Sequence, residues 1–187
     1  MRTDFSSENS AFSDKAHFAA QTQIYPLIFN TSSENISYET VTISNEPTNQ
    51  RNLILDGEFA VDRKIYVTVD MYPIPLTYTV QERFRRPCFK QFQDITITEY
   101  NHSSDQPSEL YKLSGGLFVY GYYDEAKDKI LQYVAFSSSA LLVKIASGEI
   151  KYDSKKQNDR SNQAFLAFKF ESLRKHGLIL SEGGVNV

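Results

Sequence analysis

The chain contains no tryptophan, one cysteine, three histidines, six prolines and eight glycines in 187 residues. The single Cys88 excludes an intramolecular disulfide, and no Cys/His set has zinc-site spacing, so neither a disulfide scaffold nor a structural zinc domain is expected. No apolar run approaches the length of a membrane span, and Met1-Arg2-Thr3-Asp4 does not open a signal peptide. The expectation is a soluble, cytoplasmic protein in a reducing compartment, with no membrane partner. No Gly-rich phosphate loop, nucleophile elbow, low-complexity tract or internal repeat occurs. His17, His102 and His176 are scattered, and none has a sequence neighbour that suggests triad or metal chemistry. A net charge of -3 gives no global attraction to nucleic acid, so any such contact must come from local basic patches.

Aromatic residues are plentiful: 12 Tyr and 13 Phe supply a core for a single domain of this length. Residues 1–12, rich in Ser, Asn and acids, read as a flexible N-terminal tail ahead of one domain over 13–187. Ser13-Asp14 offers a helix cap, and Phe12, Ala16, Ala19, Ala20, Ile24, Leu27 and Ile28 form an apolar stripe whose end is unsettled by Pro26. Ile36–Ile43 reads as a strand before the turn-rich 44–52. Val61–Val69 and Leu76–Arg85 read as the arms of a hairpin across residues 70–75. Alternation predicts a strand over 93–100, a short helix over 108–113, and aromatic strands over 117–123 and 130–136. Ser137-Ser138-Ser139 caps a helix through Ala146, ended by Gly148. Residues 151–163 read as a polar, mobile loop, followed by a strand over 164–170, a short helix over 171–176 and a final strand over 178–180. The predicted class is α+β (α/β/α-like), a central mixed β-sheet flanked by a few helices.

The stretch Thr77-Tyr78-Thr79-Val80-Gln81-Glu82-Arg83-Phe84-Arg85-Arg86 carries the chemistry. Leu76, Tyr78, Val80 and Phe84 alternate with polar residues at period two, and Glu82 falls in phase with the apolar set. A carboxylate on the buried side of a strand is costly unless paired, protonated or metal-bound. The preceding arm carries Asp62 near its start. An acid on one strand, Gln or an acid on its neighbour, and a nearby cation can hold a divalent metal and stabilise a phosphodiester under attack.

In this combination the chain resembles the PD-(D/E)XK nuclease superfamily, which places an acid on one strand and an acid or Gln, any residue and Lys on the next. Asp62 would be the first acid, and Gln81-Glu82-Arg83 is similar to the Gln-x-Lys version, with Arg83 in place of Lys. The resemblance implies a restriction-endonuclease-like core and a metal-dependent DNA endonuclease using Mg2+, with Mn2+ as a substitute. It further implies DNA as partner and, where both strands are cut, a homodimer or a recognition partner. Strand parity leaves two versions. In one, Gln81 and Arg83 form the site and Glu82 is a buried or partner-bound acid. In the other, Asp62 and Glu82 are the metal ligands and Lys112 supplies the cation. Arg binds phosphate well but carries protons poorly, so Arg83 also leaves room for a fold that has lost catalysis.

Two plainer readings stand beside this one. The hairpin acids could simply pair with Arg and Lys across the strands, in a non-catalytic α+β module that binds nucleic acid or protein. Arg85, Arg86 and Lys90, interleaved with Phe84, Phe89 and Phe92, could grip phosphate and stack on bases, or could be an amphipathic strand end. Glu109 and Lys112, one helical turn apart, could form a surface pair or project into the cleft. Tyr120-Gly121-Tyr122-Tyr123 reads as a central strand in which Gly permits close backbone approach.

Overall fold

The computed structural model describes residues 7–30, 35–43, 60–113, 116–158 and 162–184. The turn-rich segment 44–52 and the first six residues of the expected tail lie outside them. Two helices lead the chain, α1 (Ser7–Gln23) and α2 (Tyr25–Ile28). Pro26 falls in the first turn of α2, where its missing N–H would have no intrahelical partner, so it marks a restart rather than a clash. α1 begins at Ser7, ahead of the Ser13–Asp14 cap, so residues 7–12 are helical rather than tail. The physical reason is Phe12, which lies one turn before Ala16, is buried with it and packs on Tyr123.

The strands are β1 (Ile36–Thr42), β2 (Arg63–Val69), β3 (Leu76–Arg85), β4 (Asp94–Asn101), β5 (Gln106–Pro107), β6 (Leu117–Asp124), β7 (Lys129–Ser137), β8 (Ser154–Asn158), β9 (Gln163–Lys169) and β10 (Ile179–Gly183). Helices α3 (Glu109–Lys112), α4 (Ser138–Ala146) and α5 (Phe170–Lys175) and a 3-10 turn over Pro87–Phe92 complete the described elements. The central sheet is six-stranded in the order β1-β2-β3-β6-β7-β10. It is mixed: β3 and β6 run parallel, and the other neighbours are antiparallel.

A second sheet, ordered β5-β4-β9-β8, was not anticipated. Parallel strands cannot be joined by a tight turn, so the chain between β3 and β6 must cross over. Here the crossover carries β4 and α3 instead of one long helix, and β4 then pairs with β9. The segment expected to be a mobile polar loop contains β8, laddered to β9. Lys155 at that edge is paired with Glu99.

Two apolar cores follow from this layering. On one face of the central sheet, Phe12, Ala16, Ala20, Ile24 and Tyr25 pack on Ile65, Val67, Val80, Val119 and Ala135. On the other, Phe118, Tyr120, Tyr122, Val134 and Phe136 meet Ile95, Ile97, Leu166 and Phe168 of the second sheet. β6 is therefore covered on both sides, and its residues are buried from Leu117 to Tyr123. Gly121 sits at the centre, where a Cβ would meet the Gln132 carbonyl oxygen and the Phe84 ring, both at 3.0 Å. Gly121→Ala is expected to destabilise the fold by about 1–3 kcal/mol through overpacking, read as a lower urea midpoint at unchanged m-value.

Candidate functional site

β3 sends its residues to the two cores alternately. Val80, Glu82 and Phe84 point towards α1, and Gln81, Arg83 and Arg85 towards the second sheet. β2 is paired in register up to Arg63 opposite Val80. Beyond that point the Glu82 amide has lost its β2 carbonyl, and Asp62 takes it: Oδ2 accepts the Glu82 N–H at 2.7 Å. The strand end is held by Asp62 N–H donating to Val80 O at 2.9 Å and Ile43 N–H donating to Asp62 O at 2.9 Å.

Glu82 is buried in the α1 core and fully engaged. Tyr25 O–H donates to its Oε1. Arg63 Nε donates to Oε2 at 2.6 Å, and His17 Nδ1 stands 2.5 Å from the same oxygen. Arg63 Nη1 also donates to Thr42 Oγ1 at 2.5 Å. Burial pushes the Glu82 carboxyl up, but His17, Arg63 and Tyr25 more than offset it and hold it below its ordinary value. Burial, followed by the Glu82 charge, raises the Tyr25 phenol well above its ordinary value and keeps it a donor. With Tyr25, His17 and Arg63 on its oxygens, Glu82 is the partner-bound acid of the first version, and as a metal ligand it would have to shed partners already in place.

The opposite face gathers a different set. Arg83 Nη2 pairs with Glu109 Oε2 at 2.7 Å, and Arg83 Nη1 donates to Thr96 O at 2.9 Å. Glu109 Oε2 also accepts the Thr98 N–H at 3.1 Å, and Gln81 Nε2 reaches Glu109 Oε1 at 3.4 Å. Glu109 is thus a buried member of the cluster rather than a surface residue. Gln81 Oε1 is buried and, among the described residues, has no hydrogen-bond partner. Asp62 stands between the faces. Burial first, opposed by the Glu82 amide and reinforced by the Glu82 and Glu109 charges, raises its carboxyl to about 7.

Lys112 closes α3, half-buried, one turn from Glu109. The basic patch divides. Arg85 lies over the Phe89 ring at 3.9 Å and faces Asp94 Oδ1 at 3.6 Å. Arg86 lies over Phe12 at 4.8 Å and donates to Asn9 at 3.2 Å, while Lys90 sits in the 3-10 turn. Sequence reading missed His17, Tyr25 and Arg63 as Glu82 partners. The available signal was Glu82 itself: an acid in apolar phase requires donors.

Asp62, Gln81 Oε1 and Glu109 are hard oxygen donors of the type Mg2+ prefers, and the orphaned Gln81 oxygen fits a cation better than a sealed core does. Among the described residues no three His, Cys, Asp or Glu side chains converge closely enough to hold a metal by themselves. Among them, too, no helix is long and apolar enough to cross a membrane. Compared with family models, curated proteins and solved structures, the chain matches none.

Two outcomes follow. Removing one partner from the buried pair, as in Arg63→Ala, is expected to cost about 3–5 kcal/mol in chemical denaturation, because Glu82 is left charged and under-paired. Asp62 ionises at a higher pH folded than unfolded, so its contribution is largest in acid and is lost as pH rises from about 4 through about 7. Asp62→Asn keeps an acceptor for the Glu82 amide and removes that titration. Between pH 5 and 8 the melting temperature of the wild type should fall more steeply than that of the variant, and equal slopes would contradict the assignment.

Proposed function

We propose that the chain is a metal-dependent DNA endonuclease of PD-(D/E)XK type, working through Asp62, Gln81 and Arg83 with Glu109 as an added acid. The observation that carries this reading is the buried Gln81 oxygen without a partner, set beside Arg83 and Glu109 on one face of β3, with Asp62 at the start of the neighbouring strand. A bound Mg2+ would supply charge neutralisation at the phosphate and a hydroxide nucleophile near neutral pH. Asp62 and Gln81 Oε1 would hold it, and Glu109 would join them by giving up part of its contacts to Arg83, the Thr98 N–H and Gln81 Nε2. Burial first, and then the Glu82 and Glu109 charges, raise the Asp62 carboxyl, and a divalent cation beside it would favour its ionised form.

Arg83 would donate to the non-bridging oxygens of the scissile phosphate. It is poised to do so because its side chain is 30% exposed and already rests on one carboxylate that the metal would compete for. As a permanent cation it stabilises developing charge and does not shuttle protons. Arg86 and Lys90, at the end of β3 and in the following turn, would track the flanking phosphates, with Arg85 behind them. The Glu82 cluster takes no chemical part in this scheme: it fixes the strand end from which Asp62 projects.

The competing reading is a non-catalytic binding module, favoured by the closeness of the Arg83–Glu109 pair, which would neutralise the one cation the chemistry needs. Nicking of supercoiled plasmid with Mg2+ or Mn2+ separates the two. Under the nuclease reading, Asp62→Ala and Gln81→Ala abolish nicking while remaining folded, and Arg83→Ala lowers it by about 100-fold or more. A folded wild type that leaves plasmid and single-stranded DNA intact with either metal supports the binding module.

A further inference from the structure

Tyr111 of α3 is 66% exposed, and Tyr152, just ahead of β8, is 49% exposed, so both rings stand outside the apolar cores. They belong to one surface. Ser108 N–H donates to Glu99 O at 2.9 Å and starts α3 on β4, and the Glu99 carboxylate pairs with Lys155 of β8. Glu99 above all holds the Lys155 ammonium above its ordinary value, partial desolvation opposes it, and the Tyr152 and Tyr111 phenols add to it. Each ring has a lysine as its chain neighbour, Lys112 beside Tyr111 and Lys151 beside Tyr152. Lys112, Lys151 and Lys155 outnumber the neighbouring acids Glu99 and Asp153, and Asp153 accepts the Lys169 backbone N–H. α3 also carries Glu109, which holds Arg83, so one short helix bears a residue of the candidate site and an outward ring.

We propose that Tyr111 and Tyr152 form a stacking platform for the unpaired bases of single-stranded DNA, with Lys151 and Lys155 along its phosphates. Aromatic rings standing in water beside cations are what a single strand needs, because every base offers a face to stack and every phosphate a charge. A duplex fits poorly: its bases are already stacked and present only their edges, and a chain of net charge -3 has little general pull on phosphate. The basic-aromatic run after β3 does not offer the same platform. There Phe84 and Phe89 pack against the cores, and Arg85 and Arg86 lie on Phe89 and Phe12. Lys155 would exchange part of its Glu99 contact for phosphate. Through α3 the platform adjoins Glu109 and Arg83, so a strand held on it is brought to the proposed metal site. The inference deepens the nuclease reading by naming its substrate as unpaired DNA, and for that purpose it rests on that reading.

Fluorescence anisotropy of a labelled oligothymidine strand, in chelator and low salt, tests the platform without metal or cleavage. The wild type is expected to bind the strand about tenfold or more tighter than a duplex of the same length. Tyr111→Ala and Tyr152→Ala should each weaken strand binding by about fivefold or more, whereas Tyr111→Phe and Tyr152→Phe, which keep the ring, should not. Tyr72→Ala, at a tyrosine 59% exposed between β2 and β3, should leave binding unchanged. All the substituted rings stand outside the cores, so the variants are expected to fold, with melting temperatures close to that of the wild type. A wild type that ignores the strand or prefers the duplex would overturn the proposal. Alanine variants that bind normally, or a Tyr72→Ala variant weakened equally, would also overturn it. Nicking without strand preference removes this inference alone, and strand binding through the two rings without nicking removes the nuclease reading alone.

Discussion

A carboxylate with no access to water organises this domain. Glu82 lies on the apolar face of a strand, where an isolated charge would cost more than a small fold can spare, so the surrounding chain is arranged to serve it. His17 comes from α1, Tyr25 from α2 and Arg63 from β2, and Arg63 is itself steadied by Thr42 of β1. The leading helices are therefore fixed on the sheet by directional polar contacts as well as by the Ala16, Ala20 and Ile24 packing. Swapping such a cluster for apolar residues could leave stability unchanged, but removing any one member leaves the rest uncompensated.

Strand parity carries this constraint into the candidate site. With Glu82 committed to the α1 core, Gln81 and Arg83 must face the second sheet, where Glu109 and the β4 backbone receive them. The Glu82 backbone amide binds the Asp62 carboxylate, so the residue that anchors the helices also anchors the first acid. Asp62 consequently feels charges from both faces, and burial together with the Glu82 and Glu109 charges raises its carboxyl to about 7. The result is a sealed ion cluster on one side of β3 and a partly exposed polar cluster, with an orphaned Gln81 oxygen, on the other.

The local half of this arrangement was legible in the sequence. Period-two alternation located β2 and β3, the phase of Glu82 revealed a buried acid, and Gly121 between aromatic residues announced a crowded central strand. What was not legible depends on contacts distant in sequence. Nothing near His17 indicates a carboxylate 65 positions away, and Glu109 with Lys112 reads locally as a surface pair until β4 brings Thr98 and β3 brings Arg83 to it. The second sheet was hidden for the same reason: β8 is a strand by virtue of its ladder with β9, while its own residues are those of a loop. The helical start at Ser7 likewise reflects burial of Phe12 rather than any capping signal.

The claim on which the functional account rests is that the Gln81 face, and not the Glu82 cluster, holds a divalent cation. Binding of Mn2+ followed by electron paramagnetic resonance tests it without DNA or turnover. The account predicts that the folded wild type takes up Mn2+ and that Gln81→Ala, made on the face of β3 opposite the Glu82 partners, loses it. A wild type that leaves Mn2+ free, or a Gln81→Ala variant that binds as well as the wild type, would contradict it.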